Sequence, residues 1–252
     1  MNNTITHIFF DLHQTIVDGV LMHDCYSAAY GQLMAVRYGL SPEIWTQANR
    51  RIMADWDSYF VDLDLDGENG IADMWEGYYR TTRAMFRITG TPEPAYEEVM
   101  ALVREVPGYA TRHCDAFYPD AKPVIRRLFE AGFTLGIATH ALTTQACGTL
   151  QGGGMLDYFK GAILGPDVTD QFAKNAAYYA YAIRAAQAPA GCCLVVDDSI
   201  HAMHGAKQVG IRAVQICRRD VPVYSPADLV LKDSLDGLLD YLEISASERD
   251  SV

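Results

Sequence analysis

The sequence predicts an α/β protein: a Rossmann-like, doubly wound parallel sheet with an inserted α-helical cap domain. Short apolar runs typical of buried parallel strands alternate with segments of helical spacing. The alternation stops after the first run and resumes only beyond residue 114. Polar residues directly follow several of the runs, and ligands of such sheets bind beyond the carboxyl ends of the strands.

The apolar runs predict five strands. They are HIFF (7–10), FTLGIAT (133–139), GAIL (161–164), CCLVV (192–196) and RAVQIC (212–217). The helical segments between them place apolar residues on one face. Three of these segments are DAKPVIRRLFEAGF (120–133), AKNAAYYAYAIRAA (173–186) and IHAMHGAKQVGI (200–211). Strands that alternate with helices in this way form parallel sheets.

The segment between the first strand and the others is predicted to be a helical insertion. It is rich in aromatic residues, and SPE (41–43) and GTPEP (90–94) mark helix boundaries within it. We predict that residues 1–17 and 115–245 form the Rossmann-like core. Residues 18–114 are predicted to form the cap, and residues 246–252 a flexible tail.

The composition indicates a soluble globular protein, with 252 residues of which 50% are hydrophobic and 21% charged. No apolar run approaches the ~18 residues that span a bilayer, and no secretory signal is evident, so we predict a cytoplasmic protein without a membrane partner. The six cysteines show no CxxC spacing and are expected to be reduced, mostly buried thiols. A net charge of −12 argues against nucleic acid but permits a small phosphate ester.

Polar side chains at the predicted strand ends point to a metal-assisted site. Asp11 follows the first strand, Thr139 ends the second, and Asp197 and Asp198 end the fourth, while Lys174 lies near the start of a helix. On a parallel sheet these residues converge at one edge. Several carboxylates in one place repel each other, and their oxygens suit Mg²⁺, which is the cofactor we predict.

Phosphate oxygens have candidate partners at the same edge. Thr139 and the amide of His140 could hold them, and Lys174 would offset the negative charge that accumulates there. The substrate class expected from this arrangement is a small phosphorylated metabolite.

These motifs, in this order, resemble those of the haloacid dehalogenase-like hydrolase superfamily. FFDLHQT (9–15) resembles its first motif, GIATH (136–140) its second, Lys174 its third, and VVDDS (195–199) with HGAKQVGI (204–211) its fourth. A helical insertion after the first motif is the family's C1 cap position. The resemblance implies a Rossmann-like core with a cap, and Asp11 as the nucleophile that forms an aspartyl-phosphate.

The first motif departs from the family pattern at two positions. Most phosphatases of this superfamily carry Asp where this chain has His13, and Gly where it has Gln14. The resemblance implies that the residue at position 13 protonates the leaving alcohol and then activates water. Histidine can transfer protons near its ordinary pKa of about 6.5. There are two other interpretations: His13 shapes the substrate site without transferring protons, or the site is catalytically inactive. Gln14 is expected to alter the turn after the strand, because Gly reaches backbone angles that Gln does not.

The implied metal ligands are Asp11, the backbone carbonyl of His13, and the Asp197–Asp198 pair. Asp198 is the better candidate for direct ligation within the pair. Ser199 is predicted to be a helix N-cap and not a catalytic group.

The cap offers few candidate residues for substrate contact. The aromatic run MWEGYYRTTRAMF (74–86) is interpreted mostly as helix core, with one or two rings, together with Arg80 or Arg83, facing the active site.

The leading functional prediction is a Mg²⁺-dependent phosphomonoesterase that is a monomer or homodimer. The alternatives are a catalytically weakened protein of the same fold that binds a phosphate ligand or a protein partner, and a metal-independent dehalogenase-type hydrolase. Phosphonate cleavage is excluded, because it would need a cap lysine and residues 17–114 contain no Lys.

Overall fold

A six-stranded sheet organises the computed structural model, which describes residues 4–219 and 221–244. The strands are β1 (His7–Phe10), β2 (Thr134–Ala138), β3 (Ile163–Leu164), β4 (Cys193–Asp197), β5 (Arg212–Cys217) and β6 (Leu229–Lys232). Their spatial order is β3-β2-β1-β4-β5-β6, and every neighbouring pair is parallel. The order reverses at β1, the place where ligands of such sheets bind. The predicted fold class is therefore confirmed.

The insertion after β1 contains four α-helices among the described residues. They are α1 (Gly19–Tyr38), α2 (Pro42–Ala54), α3 (Gly70–Thr89) and α4 (Tyr96–Thr111). They enclose a hydrophobic centre of their own, in which Trp45 and Phe86 are fully buried and meet edge to face at 5.4 Å. The Trp45 indole nitrogen donates a hydrogen bond to the Gly39 carbonyl at 2.7 Å, so its one polar atom is satisfied. The predicted boundaries of this insertion, after residues 17 and 114, stay predictions.

The remaining helices cover the two faces of the sheet. They are α5 (Ala121–Glu130), α6 (Thr143–Gly152), α7 (Pro166–Thr169), α8 (Ala176–Ala186), α9 (Ile200–Gln208) and α10 (Asp236–Tyr241). Successive residues of β1 alternate between the faces: Ile8 and Phe10 pack with α5 and α10, whereas Phe9 packs with α8 and α9. Burial on both faces explains why this strand reads as a continuous apolar run.

Two features of the core differ from the sequence-based expectation. β6 was not predicted, because LVLK is only partly buried and carries no long apolar run. β3 is shorter than the GAIL segment and contains two residues. The predicted flexible tail at 246–252 lies outside the described residues. Within the described ranges, no helix combines the length and the apolar character that crossing a membrane requires, and the cytoplasmic location stays a prediction.

Helix α4 of the insertion packs closely on helix α6 of the core. A β-carbon added at Gly148 would lie 2.3 Å from Thr111 Oγ1 and 2.4 Å from the Gly108 carbonyl oxygen. Glycine is therefore needed for this approach. The Thr111 hydroxyl donates to the Gln145 carbonyl across the interface at 3.0 Å.

A disulfide joins the two ends of the insertion. Cys25 on α1 and Cys114, just beyond α4, are bonded with their Cα atoms 5.7 Å apart. The prediction that all cysteines are reduced is wrong for this pair. The partners are separated by 89 residues and meet only because the insertion leaves and rejoins the core at one place. The other four cysteines are free.

The turn after β1 is left-handed at Gln14, which has a φ of 60°. Its amide donates to the Val17 carbonyl at 2.8 Å, and its side-chain oxygen accepts from the Tyr118 hydroxyl at 2.9 Å. Gln14 thus adopts the backbone region that favours Gly, and the Tyr118 hydrogen bond offsets part of the cost.

Removing the disulfide should lower the free energy of unfolding. The paired substitution Cys25→Ser and Cys114→Ser releases a long closed loop, and chain entropy predicts a loss of up to about 4 kcal/mol. Chemical denaturation with and without reductant measures it: reductant should destabilise the wild type but not the double variant. Cys147→Ser removes a free thiol and serves as the control. Six titratable thiols in the denatured, unreduced wild type would contradict the disulfide.

The protein should be more stable with Gly at position 14 than with Ala there. Both Gln14→Gly and Gln14→Ala lose the bond to Tyr118, so their difference isolates the left-handed backbone, about 1 kcal/mol in favour of Gly. Gln47, exposed within α2, gives the opposite order because its backbone is helical, with Gly about 1 kcal/mol worse than Ala. Urea denaturation of the four variants measures both differences in the free energy of unfolding. Equal values for Gln14→Gly and Gln14→Ala would show that the left-handed backbone at position 14 carries no strain.

Candidate active site

A buried lysine binds two carboxylates at the carboxyl edge of the sheet. Asp11 directly follows β1, and Asp197 ends the neighbouring strand β4. The Lys174 ammonium donates to Asp11 Oδ1 at 2.5 Å and to Asp197 Oδ2 at 2.7 Å. Only 2% of the Lys174 side chain is exposed. The structure therefore brings together three residues that the sequence analysis selected.

Local structure fixes the position of Lys174. It precedes α8, whose first turn is capped by Asn175; the Asn175 side chain accepts hydrogen bonds from the amides of Ala177 and Tyr178 at 2.9 and 3.1 Å. Helix α9 passes close by, since a β-carbon at Gly205 would lie 2.3 Å from the Lys174 carbonyl oxygen. Gly205 belongs to the HGAKQVGI segment, so the fourth motif also makes room for the third.

The three groups stabilise each other's charged forms. Burial by itself lowers the pKa of Lys174, but the carboxylates of Asp11 and Asp197 outweigh this and raise that pKa above its ordinary value. Burial raises the pKa of Asp11, and the Lys174 ammonium opposes the rise. Lys174 therefore stays protonated at neutral pH and holds one oxygen of Asp11 in place.

A third carboxylate, Asp198, completes an acidic cluster. Asp11, Asp197 and Asp198 each offer an oxygen, and these atoms lie within 4.8 Å of one another. Burial raises the pKa of Asp197 to about 6, and burial together with the Asp197 charge raises the pKa of Asp198 to about 6. Lys174 alone does not balance three acids. An all-oxygen donor set with this excess of negative charge fits a hard divalent cation.

The two aspartates of the pair have different partners. Asp197 uses one oxygen for Lys174 and the other for the amide of Ser199, at 2.9 Å. Within the described ranges, the Asp198 carboxylate makes no ion pair or hydrogen bond with another side chain. Asp198 is therefore the better placed for direct ligation. Ser199 does occupy the N-cap position of α9, although its hydroxyl makes no capping bond.

His13 lies two residues beyond Asp11 and lines a cavity that reaches into the insertion. Burial, followed by the charges of His23 and Lys174, lowers the pKa of His13 to about 4. The imidazole is thus neutral at physiological pH and able to accept a proton. His23, on α1, also lines this cavity and was not singled out from the sequence, where no motif marks it.

Thr139 and His140 follow β2 and lie beside the acidic cluster in the sheet order. The Thr139 amide donates to the Leu164 carbonyl at 3.0 Å, and its hydroxyl oxygen accepts from the Ala141 amide at 3.2 Å. That hydroxyl keeps its own proton available for a ligand. Burial, followed by the charges of Lys174 and His13, lowers the pKa of His140 to about 3, so this imidazole is also neutral.

One cavity of about 430 Å³ extends from His13 and His140 into the insertion. Tyr78, from the aromatic run on α3, contributes to its wall. The expectation that Arg80 or Arg83 faces the site is wrong. Each is bound by acids of the insertion, Arg80 by Asp62 and Glu76, and Arg83 by Glu93. Their ion-pair partners hold these guanidinium groups away from the cavity.

The fold is shared with solved hydrolases. A phosphatase from Thermococcus onnurineus of the HAD group is 23% identical, with a TM-score of 0.60 over 94% of this chain and 98% of that one. The putative HAD-hydrolase YfnB from Bacillus subtilis, solved bound to magnesium, is 17% identical, with a TM-score of 0.62 over 96% and 100%. A 2-haloacid dehalogenase from Pseudomonas syringae is 21% identical, with a TM-score of 0.63 over 95% and 99%.

The family is shown by the sequence itself. No curated protein matches the chain. The sequence model of the haloacid dehalogenase-like hydrolase family matches residues 5–210 of this chain. That span contains β1 to β4, all four helices of the insertion and every candidate site residue. On this evidence the chain belongs to the haloacid dehalogenase-like hydrolase family.

Proposed function

We propose that this hydrolase is a Mg²⁺-dependent phosphomonoesterase that acts on a small phosphorylated metabolite. The observation that carries the proposal is the cluster of Asp11, Asp197 and Asp198, whose oxygens lie within 4.8 Å of one another. Among the described residues, Lys174 is the only one whose ammonium group binds them. A phosphate dianion would be repelled by this cluster unless a cation were present. YfnB, bound to magnesium, is a relative of the same fold.

The proposed ligands of the cation are Asp11, Asp198 and the backbone carbonyl of His13, with Asp197 in support. When bound there, Mg²⁺ supplies the positive charge that draws phosphate oxygens toward the cluster. Lys174 already bonds Asp11, so it orients the nucleophile and offsets part of the charge on the reacting group.

The proposed reaction has two steps. A carboxylate oxygen of Asp11 attacks phosphorus, the bond to the ester oxygen breaks, and the leaving alcohol takes up a proton. Water then attacks the aspartyl-phosphate, releasing phosphate and restoring Asp11. We assign His13 the proton transfer of the second step, in which its neutral imidazole accepts a proton from the attacking water, because it lies two residues beyond Asp11 and lines the cavity. The leaving alcohol of the first step takes its proton from solvent.

Phosphate binding is assigned to the second motif. The Thr139 hydroxyl retains a proton to donate, and the His140 amide follows it at the same strand end. The helices α1–α4 lie over the cavity and would limit access of water during the attack.

Dehalogenation is the second candidate, and one contact favours it. Lys174 bonds the nucleophile directly, so Asp11 has a positive partner without any metal. A halide leaving group also needs no proton donor, and position 13 carries no carboxylic acid. The Pseudomonas syringae relative is a 2-haloacid dehalogenase. The unbalanced charge of Asp198 makes this the weaker candidate.

Hydrolysis of a generic aryl phosphate tests the proposal. Wild-type turnover should require Mg²⁺, fall at least about 10³-fold in Asp11→Asn, and fall about 10²-fold or more in His13→Ala. Asp157→Asn, at a fully exposed carboxylate, is the matched control and should leave turnover unchanged. Released phosphate is measured with and without a chelator.

Three outcomes would contradict the proposal. Chelator-resistant halide release from a 2-haloacid, without phosphate release, would establish the dehalogenase. A silent wild type with an active His13→Asp variant would favour a weakened protein that binds a phosphate ligand or a protein partner. Unchanged turnover in Asp11→Asn would show that Asp11 is not the nucleophile.

The acidic cluster should make stability depend on pH and on Mg²⁺. Because the pKa values of Asp197 and Asp198 rise from 3.8 to about 6, the folded metal-free protein binds more protons than the unfolded chain between those values. Its free energy of unfolding therefore falls as pH rises through this interval. Saturating Mg²⁺ should raise the melting temperature by about 5 °C or more at pH ~7.5 and by less at pH ~5.

Asp198→Asn provides the comparison for this experiment. It removes one of the perturbed acids, so most of the Mg²⁺-dependent shift and part of the pH dependence should disappear. Thermal unfolding of both proteins at the two pH values, with and without Mg²⁺, measures the effect. Equal Mg²⁺ stabilisation of the variant and the wild type would argue against this site.

A further inference from the structure

No carboxylate, ammonium or guanidinium side chain lines the cavity above the acidic cluster, as far as the described residues show. Among the described residues that line it, none is Asp, Glu, Lys or Arg. The charged groups of the site are not among the lining residues, and the cavity comes nearest to them in the chain at His13, two residues beyond Asp11, and at His140, next to Thr139. A ligand group inside the cavity would therefore meet no compensating charge.

Aromatic rings form much of the wall. Trp56 stacks on Phe60 with ring centroids 5.1 Å apart, and Tyr78 contacts both rings at 6.0 and 6.1 Å. The wall on the α4 side is aliphatic, with Leu102 and Val106 both buried. These surfaces favour flat or bulky apolar groups.

Two polar side chains of the lining are already engaged within the insertion. Asn49 is buried, and its side-chain oxygen accepts from the Ser27 hydroxyl at 2.8 Å while its amide nitrogen contacts the Met85 sulfur at 3.8 Å. The Thr81 hydroxyl donates to the Tyr78 carbonyl at 2.8 Å. A carboxylate or an ammonium group would lose water here without a partner of opposite charge, which is costly.

We propose that the substrate is the phosphate monoester of an uncharged, ring-containing hydrophobic alcohol or phenol. Its apolar group fills the aromatic cavity while its phosphate lies at Asp11. The volume of about 430 Å³ falls in the range of small-molecule sites and accommodates such a group. Phosphate esters whose organic group carries a carboxylate or an ammonium group do not match this lining. The inference rests on the proposed phosphomonoesterase function and narrows its substrate.

A pair of substrates of similar size tests the inference. Hydrolysis of 4-isopropylphenyl phosphate is compared with that of 4-carboxyphenyl phosphate, with Mg²⁺ present and the full chain. We expect kcat/KM to favour the isopropyl compound at least about 100-fold, the scale set by burying an unpaired charge. The carboxyl-substituted phenolate is the better leaving group, so intrinsic reactivity opposes this preference. Comparable or higher kcat/KM for the charged substrate overturns the inference.

A cation placed in the cavity should change this selectivity. Met53 is half-buried on α2 and lines the cavity, so Met53→Lys should reduce the preference for the isopropyl compound at least about 10-fold. Ile44→Lys is the matched control on the same helix, at an exposed position that does not line the cavity, and should leave the ratio unchanged. Equal ratios in the two variants would overturn the assignment of the cavity as the subsite.

Failure of the inference differs from failure of the proposed function. If 4-carboxyphenyl phosphate is hydrolysed as well as the isopropyl compound, the phosphatase stands and the inference fails. If no phosphate ester is hydrolysed, the proposed function fails, and calorimetry with 4-isopropylphenol tests the cavity alone. Binding by wild type and Ile44→Lys, weakened in Met53→Lys, supports an apolar ligand site, and absence of binding overturns it.

Discussion

The bond of Lys174 to Asp11 and Asp197 is the interaction on which the site depends. The order of the sheet places β1 beside β4, so the carboxylates of Asp11 and Asp197 lie at the same edge of the sheet. Two buried acids so close would repel each other, and a buried ammonium group alone would be equally unfavourable. Together the three groups compensate each other's charge. Removing any one of them would leave buried charge without a partner. Asp198 adds charge that Lys174 does not balance, and this imbalance is what favours a metal ion.

The turn after β1 and the connections to the insertion are held by a second group of contacts. The Arg218 guanidinium binds the Thr15 carbonyl at 2.7 Å and the Asp120 carboxylate at 2.8 and 3.0 Å, and lies 3.9 Å above the Tyr118 ring. Tyr118 in turn bonds Gln14. These contacts hold the turn that carries His13 in place.

The insertion leaves and returns to the core at a single place. Val17 pairs with Phe117 across the two connections, and the Asp18 amide donates to the Ala116 carbonyl at 2.8 Å. The Cys25–Cys114 disulfide lies next to these contacts, and α4 rests on α6 through Gly108 and Gly148. The cavity walls are therefore held over the strand ends by packing and covalent bonding rather than by one flexible connection.

The sequence by itself determined the fold class, the bounds of β1 and β5, and the identity of the polar groups at the strand ends. These follow from local patterns, because a strand buried on both faces must be apolar throughout and a parallel sheet gathers its carboxyl ends. It did not determine β6, since a partly exposed edge strand lacks that pattern. Only the tertiary structure decided the disulfide, the partners of Arg80 and the uncharged lining of the cavity. Each of these depends on which side chains from distant segments come into contact, and that depends on packing rather than on periodicity along the chain.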